Sequence, residues 1–141
     1  MMRDRARSGV AAVEFALILM PLMMLIFGGI EFGRLVWMRN ALQQTAVATA
    51  RCMGVRQTPC ATSGALDLAR SVTFARTRAS RYSVSLTVAA VTAKANTTCS
   101  GSAGFARVVI ATRFVSVVPI ISRIVGTPAV NVAACFPNQA T

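Results

Sequence analysis

The sequence contains no histidine, and acids are scarce: four Asp and Glu stand against fifteen Lys and Arg, for a formal net charge of +11. Beyond Glu31 the chain holds one acid, Asp67, and its single lysine is Lys94. General acid–base and nucleophilic chemistry need titratable groups held in tuned environments. A chain this poor in them is expected not to be an enzyme and to need no cofactor. The lack of histidine also bears on metals. A zinc site would require all four cysteines, Cys52, Cys60, Cys99 and Cys135, and their spacings lack the paired CxxC knuckles of such sites. Aromatics make up 6% of the chain, with Trp37 and Tyr82 the single Trp and Tyr. The scattered positive charge therefore has no stacking platform and no recognition motif, and nucleic acid is not an expected partner. An exported basic surface suits acidic headgroups, anionic envelope polymers or an acidic protein.

What the chain does have is apolar surface. It is 55% hydrophobic over 141 residues, with mean hydropathy +0.59. That is too apolar for an ordinary soluble domain and too polar for a multi-span protein, and the length allows one small domain plus a membrane segment. From Val10 to Ile30 the one charged residue is Glu14. A helix of about twenty residues crosses roughly 30 Å of hydrocarbon. The later apolar stretch Val108–Val118 is shorter and is broken by Arg113. Arg3, Arg5 and Arg7, opposed by Asp4, favour a cytoplasmic N-terminus, a bias that Arg34 and Arg39 weaken. All four cysteines follow the span, in even number, which fits two disulfides in an oxidising compartment.

These features divide the chain into a basic leader (1–9), a transmembrane helix (10–33) and an exported head (34–141). The expected fold class is α+β: a long N-terminal transmembrane helix running into a small exported head with a second helix and a three-stranded antiparallel sheet. The first helix continues over 34–53, where Leu35, Met38, Leu42, Ala46 and Ala50 recur at helical spacing. Beyond Leu42 this stripe narrows to alanine, flanked by Thr45 and Thr49, so another element can approach closely. Gly54 reads as a C-terminal cap. A second helix is expected over 64–80, with Ser63 as cap, Asp67 in its first turn, and Leu66, Ala69, Val72 and Phe74 buried. Alternation over Tyr82–Val88 predicts a first strand, about 82–91, followed by a loop at Asn96–Gly104. Further strands are expected at about 105–117, with Val108, Ile110, Thr112 and Phe114 on one face, and 129–135, with Val130, Val132 and Ala134 on one side. Pro119–Pro128 reads as a connection whose Ile120-Ile121 and Ile124-Val125 dip toward the core or the membrane surface. Four cysteines allow three pairings. A meander brings the end of the third strand beside the end of the first, which favours Cys52–Cys60 and Cys99–Cys135. Each bridge would contribute about 2–4 kcal/mol.

Glu14 and its setting carry the functional reading. A carboxylate in hydrocarbon costs about 2.5–3.5 kcal/mol on insertion scales, so it is rarely kept there without a partner. Gly9-Val10-Ala11-Ala12-Val13-Glu14-Phe15-Ala16-Leu17, then Pro21-Leu22, then Gly29-Ile30-Glu31-Phe32-Gly33-Arg34 resembles the N-terminal signature of the TadE-like pseudopilins, minor components of the tight-adherence (Flp, type IVb) pilus. The resemblance covers about the first fifty residues. It implies cleavage by a prepilin peptidase after Gly9, leaving Val10 as the new N-terminus, with Glu14 and Phe15 in the recognised segment. It also implies other pilins or pseudopilins and the inner-membrane assembly platform as partners. The expected location is the bacterial inner membrane, single-pass, with the N-terminus cytoplasmic and the head periplasmic or carried into the extracellular pilus.

Physical reasons support the pattern. Gly9 presents no side chain at the scissile bond, and a cut there removes the leader while keeping the apolar helix. Glu14 lies four residues beyond Val10, about 6 Å of rise, so the new ammonium of a displaced neighbour can meet it and set axial register. The competing reading of Glu14 is a side chain snorkelling in the cytoplasmic headgroup layer. Pro21 is a candidate kink, Gly29 and Gly33 a candidate GxxxG packing face, and Glu31 with Arg34 a local ion pair at the outer boundary. The alternative function is an uncleaved single-pass protein whose basic head binds an envelope partner.

Overall fold

The first third of the chain is rich in Ala, Leu, Met and Arg, strong helix formers, and stays helical through Pro21, Gly28, Gly29 and Gly33. A computed structural model describes residues 3–117, 123 and 126–139. Helix α1 runs over Arg3–Gly54 with Pro21 inside it. It starts within the leader, seven residues before the expected Val10. Its last turn closes with Gln57 N–H donating to the Cys52 carbonyl (2.9 Å) and Arg56 N–H to the Met53 carbonyl (3.1 Å). The left-handed residue of this Schellman-type end is Arg56 (φ 52°) rather than glycine. Gly54 is needed for another reason: a Cβ there would lie 2.6 Å from Phe136 Cδ1 and 2.7 Å from the Pro137 carbonyl oxygen.

A 3₁₀ turn at Thr58–Cys60 leads into strands β1 (Ala61–Thr62) and β2 (Ala65–Leu66), a small antiparallel pair. Ser63 (φ 51°) and Gly64 (φ 79°) make its two-residue turn, both left-handed as a type I′ hairpin requires. Ser63 is therefore a turn residue, and helix α2 (Leu68–Ser80) starts four residues later than expected. Its N-cap is Asp67, which accepts from Arg70 N–H at 3.0 Å. The buried stripe of α2 is Ser71, Ala75 and Ala79; Val72 and Phe74 are half-buried and Ala69 is exposed.

The sheet is formed by β3 (Val91–Cys99), β4 (Ser102–Arg113) and β5 (Ala129–Pro137), all antiparallel in the order β3-β4-β5. The expected strand at 82–91 is displaced. Residues 82–87 instead wrap the end of α2, with Val84 N–H donating to the Ala79 carbonyl and Arg76 Nε to the Leu86 carbonyl. The first sheet strand is the stretch that reads in part as a loop. It pairs Val91 with Ile110 and Lys94 with Arg107, then shifts register twice before a Ser100-Gly101 turn (φ 50° and 85°). That turn repeats the conformation of Ser63-Gly64. Strand β4 begins three residues before 105 and ends at Arg113, and β5 extends two residues past Cys135. Faces fall as expected on both: Val108, Ile110 and Phe114 are buried, as are Val130, Val132 and Ala134. The readings at Ile120-Ile121 and Ile124-Val125 lie outside the described residues.

The core sits where the second half of α1 crosses β4, β5 and α2. Leu42, Ala46 and Ala50 are fully buried against Val108, Ile110 and Ala75, with Leu35 and Met38 packed at the margin. Alanines on α1 let the sheet come close. Thr45 and Thr49 are also fully buried, and each hydroxyl donates to the carbonyl four residues back at 2.8 Å, so no polar group there is left without a partner. Both expected disulfides are present. Cys52–Cys60 ties the end of α1 to the turn before β1, and Cys99–Cys135 joins the two outer strands of the sheet. The latter Cα atoms are 6.5 Å apart, whereas two strand spacings are about 9.5 Å. The outer strands converge there, beside the register shifts of β3.

Candidate functional site

The residues that the sequence singles out lie along the N-terminal half of α1, and nothing in the head covers them. Val10, Val13, Phe15, Leu17, Ile18, Met20 and Leu25 are all at least 60% exposed. The most apolar window of the stretch Val10–Gly54 is wholly unburied. By length and composition this is a candidate membrane span. So much unburied apolar surface is unfavourable in water at about 25 cal/mol per Å².

Glu14 is exposed on this arm and forms no ion pair among the described residues. Gly9 and Val10 are in helical conformation, one turn on either side of residues that are helical too. Pro21 is exposed. Its missing N–H leaves the Leu17 carbonyl without the usual helical donor. Gly29 and Gly33 stand one turn apart, and a Cβ on either would meet nothing within 4 Å. The structure thus places Gly9 in the same helix as Val10, Glu14, Phe15, Pro21, Gly29 and Gly33, and the latter six are all exposed.

Glu31 behaves differently. The expected pair with Arg34 is present, Arg34 Nη1 lying 3.1 Å from Glu31 Oε1. Yet Glu31 is buried, at 6% exposure, rather than sitting on an open boundary. The same Oε1 accepts from the backbone N–H of Val117 at 3.2 Å, and Oε2 is buried with no hydrogen-bond partner among the described residues. The Arg34 guanidinium also lies 5.6 Å from the centroid of the Phe114 ring. Glu31 therefore fastens the chain leaving β4 to α1. Sequence reasoning missed this because the partner is 86 positions away and is a backbone N–H, which leaves no residue-type signature.

In the head, the one acid is Asp67, half-buried at the start of α2. Its carboxylate accepts from Arg70 N–H and from the Thr62 hydroxyl (3.2 Å). The backbone hydrogen bond from Arg70, the largest cause, holds its pKa below the ordinary value of 3.8. That is the behaviour of a helix cap. Among the described residues there is no cluster of His, Cys, Asp or Glu able to hold a metal.

Comparison with known proteins meets this geometry at the rod. Residues 9–51 match the family model of TadE-like proteins. The match opens at the glycine before the apolar run and closes one turn short of the end of α1, leaving α2 and the sheet outside it. No curated protein matches the chain, and no solved structure does. Over residues 9–51, about a third of its length, the chain is similar to TadE-like proteins.

Proposed function

We propose that this chain is a minor pseudopilin, cut by a prepilin peptidase after Gly9, that takes part in assembling a tight-adherence (Flp type IVb) pilus. Its work is to be processed, inserted and packed. The reading is structural rather than catalytic, as TadE-like pilus proteins are. The observation that carries the reading is the bare apolar rod of α1, with Glu14 near its start, lying inside the TadE-like segment. Exposed side chains from Val10 to Ile30 need a lipid or helical environment, and Glu14 needs a positive partner in it. A neighbour's Val10 ammonium, displaced by about 6 Å of helix rise, supplies one. Lipid holds the rod before assembly and neighbouring rods hold it afterwards, with the head on the side of the membrane that oxidises Cys52–Cys60 and Cys99–Cys135.

One observation favours the alternative of an uncleaved single-pass protein with a partner-binding head: α1 runs without a break across Gly9. A protease cleft takes an extended chain, so cleavage requires the first turns of α1 to open. Helix ends fray readily, because their first N–H groups lack intrahelical partners. Co-expression with and without a cognate prepilin peptidase, followed by mass spectrometry of the N-terminus, separates the two. Pseudopilin maturation gives a chain beginning at Val10 that depends on the peptidase. A chain that keeps its arginine-bearing leader beside active peptidase is the uncleaved protein.

A further inference from the structure

The head meets α1 at the level where the apolar rod ends, and the surface around that level is apolar as well. Val115 and Val117 are 72% and 70% exposed. Phe32, Val36 and Trp37 on α1 are also exposed, with Trp37 at 61%. Phe32 and Val36 border the head, sharing an open groove with Pro128 and Val130, whereas Trp37 lies about 240° around the helix from Glu31, on the far side. Past Trp37 the exposed residues of α1 are mostly polar, with Arg39, Asn40, Gln43 and Gln44, Val47 being the apolar exception. The water boundary along α1 therefore lies near Trp37–Arg39, about 9 Å beyond Glu31 along the axis. Val117 is fixed at the level of Glu31 by its 3.2 Å hydrogen bond.

We infer that the head is partly embedded in the bilayer it is anchored to, with Val115 and Val117 inserted among lipids and Glu31 as the positioning residue that holds them there. The inference rests on the reading of Val10–Ile30 as a span. The occupant is an anionic bilayer surface, for three reasons. The patch is continuous with the span itself. From Val10 to Trp37 the helix is roughly 40 Å long, the thickness of a bilayer with its headgroup layers. The patch is also rimmed as interfacial surfaces are, by a tryptophan at headgroup level and by Arg34 and Arg39, whose charge complements anionic headgroups. Burial of Glu31, paired with Arg34 and with the Val117 N–H, is how a carboxylate can persist at that depth.

Trp37 is the single tryptophan, so the full chain in phosphatidylcholine–phosphatidylglycerol vesicles reports depth through quenching by lipids brominated near the top of the acyl chains. Trp37 is expected to be quenched, as are probes placed by Val115→Trp and Val117→Trp in a Trp37→Phe background. A Leu22→Trp probe in the same background reports the span and is quenched best by lipids brominated near the chain end. In a Glu31→Ala chain the Val117→Trp probe loses quenching while a Leu22→Trp probe does not; Glu31→Gln, which keeps an acceptor, behaves as the parent. Unquenched Val115 and Val117 probes beside a quenched Leu22 probe overturn the embedding and leave the span standing. An unquenched Leu22 probe overturns both. Val117 quenching that survives Glu31→Ala removes the positioning role.

Discussion

Glu31 Oε1 accepts a hydrogen bond from the backbone N–H of Val117 across 86 residues of sequence, at 3.2 Å. This contact fastens the segment after β4 to the helix that carries the TadE-like signature. Removing the acceptor leaves that N–H short of its partner at a part-buried site, which costs about 1–3 kcal/mol. Hydrogen exchange read at Val117 is expected to be slow in the parent and in Glu31→Gln and fast in Glu31→Ala. Equal protection in all three would mean that the N–H is held by something else.

Gly54 is a packing position. Its missing side chain admits Phe136 and the Pro137 carbonyl, at 2.6 and 2.7 Å from where a Cβ would stand. Backbone cannot move aside as a flexible side chain can, so Gly54→Ala should destabilise the head by about 1–3 kcal/mol. Combining it with Phe136→Leu relieves the ring contact and leaves the carbonyl clash, giving partial rescue in a denaturant titration. Full rescue would assign the whole effect to the ring.

The two disulfides differ in access. Cys52 and Cys60 are fully buried, whereas Cys99 is half-buried and Cys135 exposed. Thiol attack needs an approach to sulfur. Limiting dithiothreitol followed by alkylation and peptide mapping should therefore label Cys99 and Cys135 before Cys52 and Cys60. The reverse order would place the opening motion of the fold at the end of α1.

Asp67 gives stability a sign with pH. Its folded pKa is depressed, first by the hydrogen bond from Arg70 N–H. Its contribution is therefore present above the ordinary value of 3.8 and is lost as pH falls through the lower folded value. Asp67→Asn keeps an N-cap acceptor without the titration. Melting curves of the parent and Asp67→Asn should converge as pH is lowered below 3.8. An unchanged gap down to acid would place the pH dependence elsewhere.

At the rod, Glu14→Ala should leave cleavage after Gly9 intact and block incorporation into the fibre. Losing one partner of a pair in a low-dielectric setting costs about 3–5 kcal/mol. Gly9→Leu should block cleavage. Immunoblots of the membrane and sheared-fibre fractions distinguish the two defects, and normal incorporation of Glu14→Ala would remove the register role.

Much of this architecture is readable in residue order. The α1 stripe of Leu42, Ala46 and Ala50, the inward faces of β4 and β5, and both disulfides follow from periodicity and from the closeness of strand ends in a meander. What misleads is the stretch from Ser63 to Cys99. Tyr82–Val88 alternates like a strand, yet the backbone N–H groups of Tyr82, Ser83 and Val84 donate to α2. Ala93–Thr98 is small and polar like a loop, yet it is laddered by β4. Alternation reports a half-buried extended chain, and wrapping a helix end satisfies it as well as joining a sheet does. The Ser-Gly pairs at 63–64 and 100–101 are the local signal for two hairpins.

The sequence by itself determined an apolar rod of membrane length, an acid near its start, a glycine before it and cysteines in the head. Each of these is a property of neighbouring residues, written in composition and helical period. Tertiary structure alone decided that Glu31 is buried, that Gly54 must admit Phe136, and that the strand beside β4 is 91–99. These depend on backbone groups and packing partners far away in the chain, and backbone N–H and C=O groups are the same in every residue but proline.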